Sequence, residues 1–205
     1  MSLGKWETNL EDEQSDKRSL YVYLFISRNK DNLNIPGFRE RKMSFLAYEN
    51  SHRVKTRWHE FLKDAKDGEL CRMYRTVNKR DPRAIKKLLM IQLVIDDQFD
   101  FGHMDGKLAG CAAKKECDAE GKWLFDYDKD EGDTRTVNDF ELDIIESQGE
   151  DIIDQDYITP HGYGVIVKHG FDTRDLLKKW GDIVTLKRDD MMLLQWETKR
   201  SETDE

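Results

Sequence analysis

The first patterned stretch of the chain, Leu20-Tyr21-Val22-Tyr23-Leu24-Phe25-Ile26, is rich in β-formers and predicts a buried strand. Residues 29–38 (NKDNLNIPGF) then gather Asn, Asp, Pro and Gly and read as loop. Over residues 51–66, Val54, Trp58, Phe61, Leu62 and Ala65 recur at helical spacing, and Gly68 is placed to close that helix. Residues 70–77 alternate as a strand, Asn78-Lys79-Arg80 turns, and Asp81-Pro82 supplies an N-cap acid with proline in the first turn. The helix so started runs through Ile85, Leu88, Leu89, Gln92 and Ile95 to near Asp97. A short helix over 108–117 and a turn at Glu120-Gly121 lead to a strand over 122–128. Thr136-Val137-Asn138-Asp139 resembles a capping box, with Val137, Phe140, Ile144 and Ile145 as the apolar face of the next helix. After an acidic loop over 147–156, Tyr157-Ile158-Thr159, Pro160-His161-Gly162 and Tyr163-Gly164-Val165-Ile166-Val167 predict a hairpin. Asp172 caps a short helix through Leu176, Leu177 and Trp180, ended by Gly181, and strands follow at 182–186 and 191–196 around a turn at 188–190.

From residue 70 onward this order predicts an α+β fold, with helices packed on one face of an antiparallel or mixed sheet. The chain divides into a polar segment 1–18 expected to be disordered (Trp6 and Leu10 could dock locally), an N-terminal strand–helix extension 19–69, an α+β core 70–197, and a polar tail 198–205.

Composition narrows the class. At 205 residues and 24.2 kDa, with 38% hydrophobic and 37% charged residues, the chain suits one sizeable domain or two small ones with a very polar surface. No apolar run approaches the roughly 20 residues needed to span a bilayer, and no signal peptide is expected. Three cysteines, Cys71, Cys111 and Cys117, are sparse and odd in number, which fits a reducing, cytosolic compartment (host cytoplasm if the chain is virus-encoded). A net charge of −8 argues against wholesale coating of nucleic acid. The charge is polarised, however. Residues 72–87 carry seven Lys or Arg and one acid, whereas 126–156 carry thirteen Asp or Glu against Lys129 and Arg135. That polarity offers a basic track for phosphates beside an acidic cluster for metal, or else two solvated faces of opposite sign.

Candidate chemistry centres on Trp123-Leu124-Phe125-Asp126-Tyr127-Asp128. Residues two apart in a strand share a face, so Asp126 and Asp128 project together and repel unless a cation or a shared proton sits between them. A hard divalent ion, Mg²⁺ or Mn²⁺, relieves the pair and keeps water ligands for a phosphate-bearing substrate. A third carboxylate, Asp182, begins a later predicted strand after a helix. The helix N-terminus beside Lys79, Arg80 and Arg83 is a candidate anion site. A calcium loop over Asp126, Asp128 and Asp130 is rejected, because Gly132 comes one position late and Val137 stands where the bidentate Glu belongs. Without a CxxC pair, His103 and the cysteines do not make a zinc site, and no P-loop, GxSxG or HExxH pattern occurs. Most aromatics read as core; Tyr163 is kept as a base-stacking candidate.

An apolar strand ending in Asp-x-Asp, a Thr-x-x-Gly-aromatic hairpin at Thr159-Pro160-His161-Gly162-Tyr163, and a later strand-borne Asp together resemble the catalytic core of the archaeo-eukaryotic primase (primase-polymerase) superfamily over residues 71–196. The resemblance implies an RRM-like sheet and a divalent-metal-dependent nucleotidyltransferase acting on nucleotides and a DNA or RNA strand. By it, Asp126, Asp128 and Asp182 are catalytic metal ligands, with Asp189 and Asp190 as rivals for the third place. Arg75, Lys79 and Arg80 would hold the triphosphate or template, and Thr159 and the backbone at Gly162 would add phosphate contacts. One motif departs from the family: Gly164 stands where relatives carry a phosphate-contacting His. Either His161 or Lys168 fills that role, or the domain binds nucleotide or nucleic acid without efficient catalysis. A third alternative is a protein that meets a basic partner through its acidic face.

Overall fold

The structure, a computed structural model, describes residues 19–129 and 134–200. The expectations for residues 1–18, the charged loop residues 130–133 and the tail end 201–205 lie outside the described residues.

Strand alternation sorts the apolar residues into two sheets. β1 (Leu20–Ser27), β2 (Arg41–Tyr48), β3 (Leu70–Thr76) and β8 (Met191–Thr198) form the first, in the order β2-β1-β3-β8, with every neighbour antiparallel. On one face Tyr21, Tyr23, Phe25, Phe45, Cys71 and Met73 meet Val54, Trp58 and Phe61 of α1 (His52–Lys63). Phe25 sits edge-on to Phe45 and Trp58 at 5.2 and 5.1 Å, the geometry that ring quadrupoles favour. One end of the other face, around Leu20, Val22 and Leu46, is covered by α2 (Pro82–Ile95) and α3 (Met104–Ala112). Asp81 caps α2 as expected, its carboxylate accepting from the Arg83 N–H at 2.8 Å. The β2 strand was not anticipated, although Met43, Phe45 and Ala47 alternate, because basic residues at 39, 41 and 42 dilute the apolar signal.

The second sheet runs β5-β6-β4-β7, from β4 (Trp123–Asp128), β5 (Ile153–Thr159), β6 (Gly162–Val167) and β7 (Val184–Lys187), again wholly antiparallel. Phe125, Tyr127, Val165 and Val167 point to one face and bury against Phe140, Ile144 and Trp180 of α4 (Val137–Gln148) and α5 (Arg174–Trp180). The capping box at the start of α4 is present between Thr136 and Asp139. The fold is therefore α+β, as the element order indicated. Its strands divide between two sheets, and the boundary near residue 70 falls inside the first, since β3 and β8 pair with the N-terminal strands. Among the described residues no helix is long and apolar enough to cross a membrane.

A buried polar junction ties the sheets together. Val77, Leu124, Ile166 and Met192 form an apolar seam between them. Beside it, Asn78 is fully buried: its Nδ2 donates to the Lys122 carbonyl at 3.0 Å and to Asp189 at 3.1 Å, and its Oδ1 accepts from the Lys122 N–H at 2.7 Å. Arg80 grips Asp189 through two nitrogens at 2.7 and 2.8 Å, its side chain almost wholly buried. Removing one member of such a buried pair strands the other's charge, at a cost of about 3–5 kcal/mol. Asp189→Ala should therefore lower stability in urea unfolding by about 3 kcal/mol, whereas Arg80→Met/Asp189→Leu should recover most of it.

Glu69, buried under the first sheet, accepts from Arg41 at 2.6 Å and from the Lys66 N–H at 2.8 Å. Burial raises its pKa, but the Lys66 and Arg41 hydrogen bonds outweigh burial and hold the carboxyl below its ordinary value. A lowered folded-state pKa gives stability that is present above the ordinary carboxylate range and lost as pH falls through the folded value. Wild type should thus lose more stability than Glu69→Gln between about pH 5 and 3, measured as Tm against pH.

Candidate functional site

Pleating and register decide what each sequence candidate faces. Cross-strand partners share a face, so the pairs Asp126 with Gly164 and Asp128 with Gly162 put both carboxylates and both glycines on the side away from α4 and α5. That side opens into a cleft of about 220 Å³ between the two sheets. Asp126, Asp128, Tyr157, Thr159 and His161 of the second sheet form one wall; Arg28, Lys30, Arg72 and Tyr74 of the first form the other.

The walls carry opposite charge. Asp31, nearly buried, accepts from Arg28 at 2.8 Å and from Arg72 at 2.9 Å, and so orients two guanidinium groups from adjacent segments. Arg72 is 5% exposed, and its Nε has no hydrogen-bond partner. A buried cationic donor left unpaired is costly. On the acidic wall, Lys187 Nζ donates to Asp126 at 2.6 Å. Burial lowers the Lys187 pKa, but the Asp126 hydrogen bond and the charges of Asp126, Asp190 and Asp128 outweigh it and keep the ammonium above its ordinary value. Among the described residues no three Asp, Glu, His or Cys side chains group to hold a metal. A site of two carboxylates suits Mg²⁺, which binds through one or two carboxylates plus substrate phosphates, but it is no preformed two-metal centre.

Of the predicted site residues, the structure brings together Asp126, Asp128, Thr159, His161 and Gly162. His161 stands in the two-residue turn between β5 and β6 at the rim of the cleft, and its carbonyl accepts from the Lys129 N–H at 2.9 Å. Gly162 is fixed by sterics: a Cβ there would collide with the Tyr127 carbonyl oxygen of the paired strand.

The remaining candidates fall elsewhere. Asp182 does not join the pair; it turns to the helix side, where Arg135, itself over the Trp180 ring, engages it at 2.5 Å. Arg80 is consumed by Asp189. Arg75 lies one face away from Arg72, against Glu49 and over the Tyr21 ring at 4.3 Å. Lys79 pairs with Glu120 at 3.0 Å at the junction. Tyr163 points to the helix face, edge-on to Tyr127 at 6.3 Å, and is not beside the acids. Lys168 follows β6 at its far end, about 13 Å along the strand from the residue opposite Asp126. The acidic surplus is likewise split, with Asp143, Glu146, Asp172 and Asp175 gathered at a groove between α4 and α5.

Sequence reasoning missed Arg28, Lys30 and Lys187 of the cleft, and Tyr157 as well. Its ring lies across Gly164, where any Cβ would strike it, so it fills the space that a side chain at 164 would occupy opposite Asp126. Burial pushes its phenol well above the ordinary range, despite a hydrogen bond from the Leu193 backbone. Gly164→His should consequently lower Tm by several degrees, equivalent to about 1–3 kcal/mol of overpacking, and Gly164→His/Tyr157→Ala should regain part of the loss. Comparison with protein-family models, curated proteins and solved structures found no match to the chain.

Proposed function

We propose that the cleft between the sheets binds a nucleoside triphosphate, or the phosphorylated end of a nucleic-acid strand, together with a divalent cation, in the manner of a primase-polymerase whose transfer chemistry is impaired. The observation that carries this reading is a cleft with walls of opposite charge, Arg28, Lys30 and Arg72 on one side and the Asp126/Asp128 pair on the other. Arg28, Lys30 and Arg72 would take the phosphates, with Thr159 and His161 reaching them from the opposite rim. Asp126 and Asp128 would hold Mg²⁺ or Mn²⁺, which when bound neutralises phosphate charge and orients the phosphate oxygens.

Three features weigh toward binding over transfer. Lys187 already neutralises Asp126, so an arriving cation must displace or share with an ammonium. Tyr157 takes up the space beside Gly164, the position where the primase-polymerase resemblance leads one to expect an imidazole. Asp182 is engaged on the other face. Transfer is the second reading, because Asp126 and Asp128 share one face of β4 and open into the same cleft. The free, buried thiols of Cys71, Cys111 and Cys117 suit the cytoplasm, of the host if the chain is virus-encoded.

Calorimetric titration with a nucleoside triphosphate should show binding that requires Mg²⁺ or Mn²⁺, with Asp126→Asn abolishing the metal dependence. Lys30→Ala should weaken binding about 3–10-fold and make it less sensitive to salt. Primer extension should give no signal above that of Asp126→Asn/Asp128→Asn. Metal-dependent extension in the wild type alone would favour the second reading, and no binding of nucleotide or single strand would defeat both.

A further inference from the structure

The C-terminal half of α2 is the most apolar exposed surface among the described residues. Met90 is 57% exposed, Val94 81% and Ile95 75%, and Ile91, Leu93 and Phe101 also face solvent. Together they expose on the order of 600 Å² of apolar surface, at the upper end of what a monomer leaves uncovered and near the ~800 Å² per partner of a standard interface. α2 rests on the body through Ile85, Leu88 and Leu89. Arg83, Lys87, Met90 and Val94 then follow one another at spacings of four, three and four, a single outward stripe.

The order along that stripe identifies its occupant. The N-terminal end is basic (Arg83, Lys86, Lys87), the middle apolar, and the residues just past the C-terminal end acidic (Asp96, Asp97, Asp100). Such a sequence is its own complement when reversed. We infer that α2 is a homodimer interface in which two copies of the helix pack antiparallel about a twofold axis at Met90. Arg83 lies seven residues before Met90 on the helix, and Asp97 follows the extended C-cap just past the helix end, so the antiparallel pairing brings each Arg83 to the acidic end of the other copy, with Asp97 its nearest candidate partner. The Lys86 and Lys87 stems cover Val94 and Leu93 across the axis. A parallel pairing would set basic end against basic end, which is repulsive. An anionic lipid surface, the other partner open to a basic amphipathic helix, would be repelled by the acidic end. The inference is independent of the cleft.

Sedimentation velocity of the full chain over ~1–200 μM should show a monomer–dimer equilibrium. Val94→Glu should leave only monomer with unchanged circular dichroism. Arg83→Asp should weaken dimerisation about tenfold or more, and Arg83→Asp/Asp97→Arg should restore it to within about threefold. Because Cys71, Cys111 and Cys117 are buried, a cysteine placed at the surface reports orientation: Met90→Cys should form a disulfide dimer on oxidation, and Arg83→Cys should not. Wild type monomeric throughout the range, a double charge swap weaker than either single change, or crosslinking at 83 but not at 90 would overturn the inference.

Discussion

The cleft exists because one buried polar junction fixes how the two sheets face each other. Asn78 makes hydrogen bonds to Lys122 and Asp189, while Arg80 holds Asp189 from the same turn. These groups come from the end of the first sheet, the lead-in to β4 and the connection between β7 and β8, so every chain crossing between the sheets is tied at one place. An apolar seam alone would resist separation but allow sliding. Directional bonds to a buried amide and guanidinium set the relative position, and the spacing between Arg72 and Asp126 follows from it.

Charge on the two walls gives that spacing its chemical meaning. Each wall is partly neutralised from within, Asp31 between Arg28 and Arg72 on one side and Lys187 against Asp126 on the other. Internal pairing lets groups of like charge coexist in a narrow space. A phosphate with its cation supplies both signs at once, which neither ion does alone. That complementarity, more than the carboxylate pair by itself, is what supports the proposed nucleotide site.

Local periodicity made much of this legible. The Asp126/Asp128 face followed from a period of two, and the Asp81-Pro82 and Thr136/Asp139 starts from capping chemistry. The basic wall was misplaced because charge density along a sequence marks runs, whereas a strand deals alternate residues to opposite faces. Arg72 and Arg75, three apart in β3, had to part company. Arg28 and Lys30, isolated in a loop-like stretch, gave no signal at all. The pairing of Arg80 with Asp189 spans 109 positions and leaves no local trace. The reason for Gly164 is also non-local, since it lies in the ring of Tyr157 on the neighbouring strand.

The central claim, that an entering cation and its phosphates lie between the acidic face of β4 and the basic face of β3, can be located directly by nuclear magnetic resonance. Substoichiometric Mn²⁺ added with a nucleoside triphosphate broadens the amide signals nearest the ion. The account predicts broadening centred on Asp126, Asp128, Tyr157 and Gly164 and reaching Arg72, with Asp182 and Arg135 less affected. Broadening centred instead on Asp143, Glu146, Asp172 and Asp175, or unchanged by the nucleotide, would contradict it.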